Sequence, residues 1–253
     1  MPHPDCNTAY TCPAGVSVYN GATKKWTINV DDGGAGGNVE GVAVSNFQVI
    51  GTTYCNTLVD HVAWGVTKSG TTFRCTLTGV TVDNVELLGT DGADDLCFDS
   101  ANWFLQNVTT TSGSMTATMF GLGGADEMAG SLDDTNYAET LRGADGDDWI
   151  EGQLGADTCV GEAGADTIDG GWDNDSLSGG TGSDVIYGDL GNDLLCGNGG
   201  VDTLYGEDGD DILPAGGQFG DAVDGGLGAN QCSGYTTITA CAGSITSPFT
   251  CPL

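Results

Sequence analysis

From Gly143 to Pro214 the chain repeats every nine residues without a gap: GADGDDWIE, GQLGADTCV, GEAGADTID, GGWDNDSLS, GGTGSDVIY, GDLGNDLLC, GNGGVDTLY, GEDGDDILP. A period this short constrains the fold strongly, because one unit cannot bury an apolar face alone and must stack on copies of itself. The first place is Gly in all eight units, and the fourth is Gly in seven, with Asp173 the exception. The sixth place is always Asp: Asp148, Asp157, Asp166, Asp175, Asp184, Asp193, Asp202 and Asp211. The eighth is apolar throughout: Ile150, Cys159, Ile168, Leu177, Ile186, Leu195, Leu204 and Leu213.

Each column has a physical task. Gly in the first and fourth places is expected to supply positive φ and close backbone approach at a tight turn. Places seven to nine read as a short strand with its middle side chain inward and the flanking ones outward. Stacked, the inward column makes a narrow dry core. The invariant Asp closes each turn, where its carboxylate can meet main-chain carbonyls of neighbouring turns. An all-oxygen donor set of that kind suits Ca²⁺ rather than Zn²⁺ or a redox metal.

These units resemble the calcium-binding nonapeptide of RTX (repeats-in-toxin, haemolysin-type) proteins, with consensus GGxGxDxUx and U apolar. The resemblance implies a right-handed parallel β-roll with two nonapeptides to a coil and several Ca²⁺ ions between turns 18 residues apart. It places Asp148, Asp166, Asp184 and Asp202 on one edge, and Asp157, Asp175, Asp193 and Asp211 on the other. Two isolated copies precede the array, GTDGADDLC from Gly89 and GLGGADEMA from Gly121, with Asp94 and Asp126 in the sixth place. They read as an extension of the same calcium ladder, through coils that shorten toward the C-terminus. Two unrelated acidic turns are the alternative.

Further upstream, GVAVSNFQVIG (41–51) and GVTVDNVELLG (79–89) share Gly, Val, Val, Asn and Gly at matching places and alternate as strands do. Stretches near residues 60 and 105 read as further strands. No helical period stands out. The fold class expected is all-β: a right-handed parallel β-solenoid with larger β-helix coils on its N-terminal side, narrowing into an RTX-type calcium β-roll, with disulfide-stapled caps. Its divisions are a cap over 1–30, β-helix-like coils over 31–120, the calcium roll over 121–226, and a cap or docking segment over 227–253.

Charge excludes several functions. The chain has 5 Lys plus Arg against 36 Asp plus Glu, a formal charge of −31, which rules against nucleic-acid binding and attraction to anionic membranes. No apolar run is long enough for a membrane-spanning helix. Residues 89–226 hold 29 of the acids with Arg142 as their only base, so self-repulsion opposes compaction unless cations bind. Ten cysteines point to an oxidising, extracellular or cell-surface setting. Cys159 and Cys196 lie about two coils apart, too far to pair with each other at a strand spacing near ~4.8 Å. Cys159 is expected as a buried thiol and Cys196 in an outward place. The other eight (Cys6, Cys12, Cys55, Cys75, Cys97, Cys232, Cys241, Cys251) flank the array, with Cys55–Cys75 the preferred pair.

Leu154, Trp172 and Leu190 stack 18 residues apart in the third place of alternate turns, and Tyr187 and Tyr205 form a second small column. The apolar stripe packs either under the chain's own tail or against another molecule. There is no HExxH or GxSxG motif, and His61 beside Asp60 reads as structural, so no catalytic residue is assigned. The sequence thus points to a non-enzymatic, calcium-stabilised structural protein that assembles with itself into a fibre or surface layer through end-to-end contacts. The alternatives are a polysaccharide-active enzyme or a carbohydrate-binding adhesin on the same scaffold, with surface glycans as partner.

Overall fold

The computed structural model describes residues 17–20, 25–29, 42–44, 84–89, 95–98, 116–130, 138–216, 220–233, 237–241, 243–244 and 251–252. Among them every regular element is a β-strand. One sheet of eleven strands runs β1 (Ser17–Asn20), β2 (Lys25–Asn29), β4 (Asn84–Leu88), β6 (Thr116–Gly123), β8 (Glu139–Asp145), β10 (Thr158–Ala163), β12 (Ser176–Gly182), β14 (Leu194–Gly200), β16 (Ile212–Pro214), β18 (Gln231–Ser233), β20 (Gly243–Ser244). The second, of nine, runs β3 (Val42–Val44), β5 (Asp95–Phe98), β7 (Glu127–Ala129), β9 (Trp149–Leu154), β11 (Thr167–Trp172), β13 (Val185–Leu190), β15 (Thr203–Tyr205), β17 (Ala222–Asp224), β19 (Thr237–Thr239). From β4 onward successive strands alternate between the sheets, and every pair is parallel except β1–β2. This is a parallel β-solenoid.

The intervals between paired residues shorten along the chain. Thr27 pairs with Glu86, Glu86 with Thr118, Thr118 with Thr140, and Thr140 with Thr158: 59, 32, 22 and 18 residues. The two similar upstream segments contribute to opposite sheets, through β3 and β4. The expected strands near residues 60 and 105 lie outside the described residues.

The eighth-place column is the core. Met119, Met128, Leu141, Ile150, Cys159, Ile168, Leu177, Ile186, Leu195, Leu204 and Leu213 are all fully buried between the sheets. Each Leu or Ile buried in this way contributes roughly 1.5–3 kcal/mol. Strands β8 to β14 are longer than three residues. Trp149–Leu154 carries on through the first three places of the next nonapeptide, so the turn proper is confined to places four to six.

Positive φ falls differently from the sequence expectation. All eight second-place residues take it, from Ala144 (83°) and Gln153 (76°) to Glu207 (65°), and no first-place glycine does. Gly206 illustrates what the first place needs instead: a Cβ there would lie 2.5 Å from Asp211 Oδ2 and 2.6 Å from Gly225 O. It is space that demands glycine at that place. Fourth-place residues do include positive φ, among them Gly146 (145°) and the exception, Asp173 (78°).

Cys159 is free and buried, and Cys196 bonds Cys251 rather than Cys159. Cys196 is fully buried, not outward as the alternation implied. Its neighbours in the ninth-place column of the eleven-stranded sheet, Val160 and Ser178, are buried too, and the C-terminal segment reaches this face at Cys251. Cys232 bonds Cys241 in the last coil. The Cys55–Cys75 pair lies outside the described residues. Trp172 (54% exposed) pairs in register with Leu154 and Leu190 on the other sheet and is left uncovered there.

Candidate metal centre

The turns joining the sheets stack into two edges, and the sixth-place residues form a continuous column along each. Along the first, each backbone N–H donates to the Oδ1 of the next residue in the column: Asp126 to Asp148 (2.8 Å), Asp148 to Asp166 (2.9 Å), Asp166 to Asp184 (3.0 Å), Asp184 to Asp202 (3.1 Å), Asp202 to Asp221 (3.3 Å). Along the second, Glu139 donates to Asp157 (2.7 Å), then Asp157 to Asp175, Asp175 to Asp193, Asp193 to Asp211 and Asp211 to Asn230 Oδ1 (2.7 Å). One carboxylate oxygen of each Asp from Asp148 to Asp221 in these columns is therefore consumed in tying adjacent coils together.

The other oxygen is left over. Oδ2 of Asp148, Asp157, Asp166, Asp175, Asp184, Asp193, Asp202, Asp211 and Asp221 is buried without a hydrogen-bond partner. Each array Oδ2 faces the first-place glycine of its own unit, in seven of the eight units beside a main-chain carbonyl of the next coil: around Gly188, Asp193 Oδ2 and Gly206 O would lie 2.7 and 2.8 Å from an added Cβ. A carboxylate oxygen and a carbonyl oxygen converging on one dry space are both acceptors, and they repel unless a proton or cation lies between them.

The acidities of these carboxyls are shifted in the same direction. Burial, the largest cause, pushes the carboxyls of Asp148, Asp202 and Asp211 up to about 6, and those of Asp157, Asp166 and Asp193 to about 7. Asp175 reaches about 9, with Asp157 and Asp193 adding to its burial, and Asp184 moves upward as well. In each case the hydrogen bond from the preceding rung pulls the other way without prevailing.

Among the described residues no three His, Cys, Asp or Glu side chains converge on one point. A cation here would be held by single carboxylates and main-chain carbonyls, oxygen donors throughout, which fits a hard ion with a flexible coordination shell. The rungs expected from the sequence, Asp148 to Asp211 and Asp126, all stand in these columns, on the edges assigned to them; Asp94 lies outside the described residues. Three positions were missed: Glu139, Asp221 and Asn230. All share a weaker pattern with the array, an apolar residue two places on and Gly four places on (Glu139-Thr-Leu-Arg-Gly, Asp221-Ala-Val-Asp-Gly, Asn230-Gln-Cys-Ser-Gly), which a strict nonapeptide register overlooks.

Comparison with known proteins agrees with the geometry. A family model described as the RTX calcium-binding nonapeptide repeat (4 copies) matches residues 133–168, 169–204 and 197–218. No curated protein matches the chain. The matched segment is an RTX-type nonapeptide array, and its described residues, 138–216, fold as a parallel β-roll. The repeat so described binds calcium, the ion that the donor set suits.

Proposed function

We propose that this chain is an extracellular structural protein whose β-roll is locked by two columns of Ca²⁺, and whose copies join end to end into a fibre or surface layer. The observation that carries the reading is the double column of buried, partnerless Oδ2 atoms. Asp148, Asp157, Asp166, Asp175, Asp184, Asp193, Asp202 and Asp211 hold the ions, Asp126 and Asp94 extend the column upstream, and Asp221 and Glu139 add rungs. Calcium relieves the acceptor–acceptor repulsion and offsets part of the −31 charge, so that binding and folding are one event.

Two disulfides, Cys196–Cys251 and Cys232–Cys241, support an oxidising location outside the cell. End-to-end joining is supported by β19, which among the described residues is the last strand of its sheet, pairs with β17 alone and leaves Thr237, Ile238 and Thr239 exposed. Such an edge is a template for another strand. On this reading residues 1–30 and 227–253 meet between copies, 31–120 form the wider coils and 121–226 the calcium roll. No reaction is assigned to it.

Negative-stain electron microscopy in millimolar Ca²⁺, and after exhaustive chelation, tests this. Regular fibres that disappear on chelation support it; discrete particles in both conditions rule out self-assembly.

A groove of about 340 Å³ favours a second reading, a carbohydrate-binding adhesin. It is lined by Gln153, Gly171 and Asp189, which pair in register, beside the half-exposed Trp172, and Glu151 and Asp169 complete the lining. A flat ring flanked by carboxylates and an amide suits a sugar ring and its hydroxyls. Glycan-array binding that Trp172→Ala abolishes would favour this reading.

A further inference from the structure

Among the described residues the second edge does not end as the first does. At the last rung of the first, Asp221 is fully buried, with Oδ2 partnerless like those before it. At the last rung of the second stands Asn230, also fully buried. Its Oδ1 accepts the Asp211 N–H, as every Asp in the column accepts from the rung before. That bond fixes the orientation of the amide, since a flip would set NH₂ against N–H. Nδ2 therefore occupies the place that Oδ2 occupies elsewhere. An added Cβ on Gly225 would lie 2.8 Å from Asn230 Nδ2 and 2.5 Å from Ala240 O, where one on Gly206 meets Asp211 Oδ2 and Gly225 O.

The chemistry at that place is reversed. Nδ2 carries two N–H donors, and they face Gly225 O and, at 3.4 Å, Ala240 O. These are the carbonyls that correspond to Gly206 O and Gly225 O one coil earlier. We propose that Asn230 is a built-in stand-in for the metal ion: its amide meets the carbonyls that a cation meets elsewhere, and closes this column with a neutral plug. The two edges then differ in their last rung, with the Asp221 edge taking an ion there and the Asn230 edge taking none. The Cys232–Cys241 bond closes the loop that presents Ala240, so this coil is held by a covalent link and an amide.

The inference rests on the calcium reading above, and one experiment separates the two. Bound calcium per chain is measured at saturation by equilibrium dialysis and elemental analysis, for the wild type, Asn230→Asp and Asp211→Asn. Asn230→Asp is expected to gain one ion per chain, because it restores a carboxylate oxygen facing two carbonyls. Asp211→Asn is expected to lose one and to stay folded, because the amide plugs an internal rung. Folded variants with the wild-type ion count overturn the role of Asn230. A wild type that binds no calcium overturns the calcium reading instead. Should Asn230→Asp fail to fold, the Asp211→Asn count decides alone.

Discussion

Gly206 and Glu207 sit side by side in the chain and invert the usual expectation for glycine. Glu207 has φ of 65°, a conformation L side chains rarely take, yet it is exposed and its side chain runs into solvent. Gly206 has an ordinary φ, but its missing side chain keeps open the space between Asp211 Oδ2 and Gly225 O. Gly206→Ala is therefore expected to cost about 1–3 kcal/mol by overpacking, and to abolish binding at that rung. Glu207→Gly is expected to stay within about 1 kcal/mol of the wild type, since relief of the left-handed backbone is offset by a freer unfolded chain. Thermal melts in saturating calcium, with a calcium titration of each variant, check the pair. Equal penalties would mean that φ, rather than the space around Oδ2, sets the requirement for glycine.

At the scale of the element, two disulfides tie the C-terminal residues in place over very different spans. Cys251 reaches back 55 residues to Cys196, whereas Cys232–Cys241 spans 9. If chain entropy governs, Cys251→Ser costs about 4 kcal/mol and Cys241→Ser about 3 kcal/mol. Denaturant unfolding in calcium measures both, and the reverse order would show that local packing outweighs loop length. The buried Cys159 thiol, its acidity suppressed chiefly by burial, then reports opening: it should resist thiol reagents in calcium and react once calcium is removed. Peptide mapping of the label checks this.

The same elements mark what the sequence could disclose. The eight rungs and the inward column were legible because each coil repeats its neighbour's chemistry, so periodicity alone carries the contacts. That Cys159 and Cys196 do not pair with each other followed from the same counting. The partner of Cys196 did not, because the return of the tail is a single long-range contact that no period encodes. Asp221 and Asn230 escaped because their intervals lengthen from 18 to 19 residues, and Glu139 because its carboxylate arrives on one more methylene.

For the whole molecule, the two columns make stability depend on pH with opposite signs in the presence and absence of calcium. Without the ion, the folded carboxyls of Asp148, Asp157, Asp166, Asp175, Asp193, Asp202 and Asp211 are pushed up to between about 6 and about 9, against 3.8 for the unfolded residue, and that of Asp184 also moves upward. The folded chain then holds protons that the unfolded chain has released. The stability these groups contribute is complete below about pH 4 and is lost as pH climbs through 6 to 9. Mutual repulsion among the remaining acids pushes in the same direction. With calcium the folded state binds the ionised carboxylate, so protons compete with the metal and stability rises over that same interval. Melting temperatures of dialysed, calcium-free protein should fall from pH 5 to pH 9, while those in millimolar calcium should rise, and the two curves should diverge with pH. Parallel curves would show that the buried carboxylates are not where the ion binds. A calcium-free curve that rises would show that those carboxylates are solvated in the metal-free chain, and that the columns assemble only around the ion.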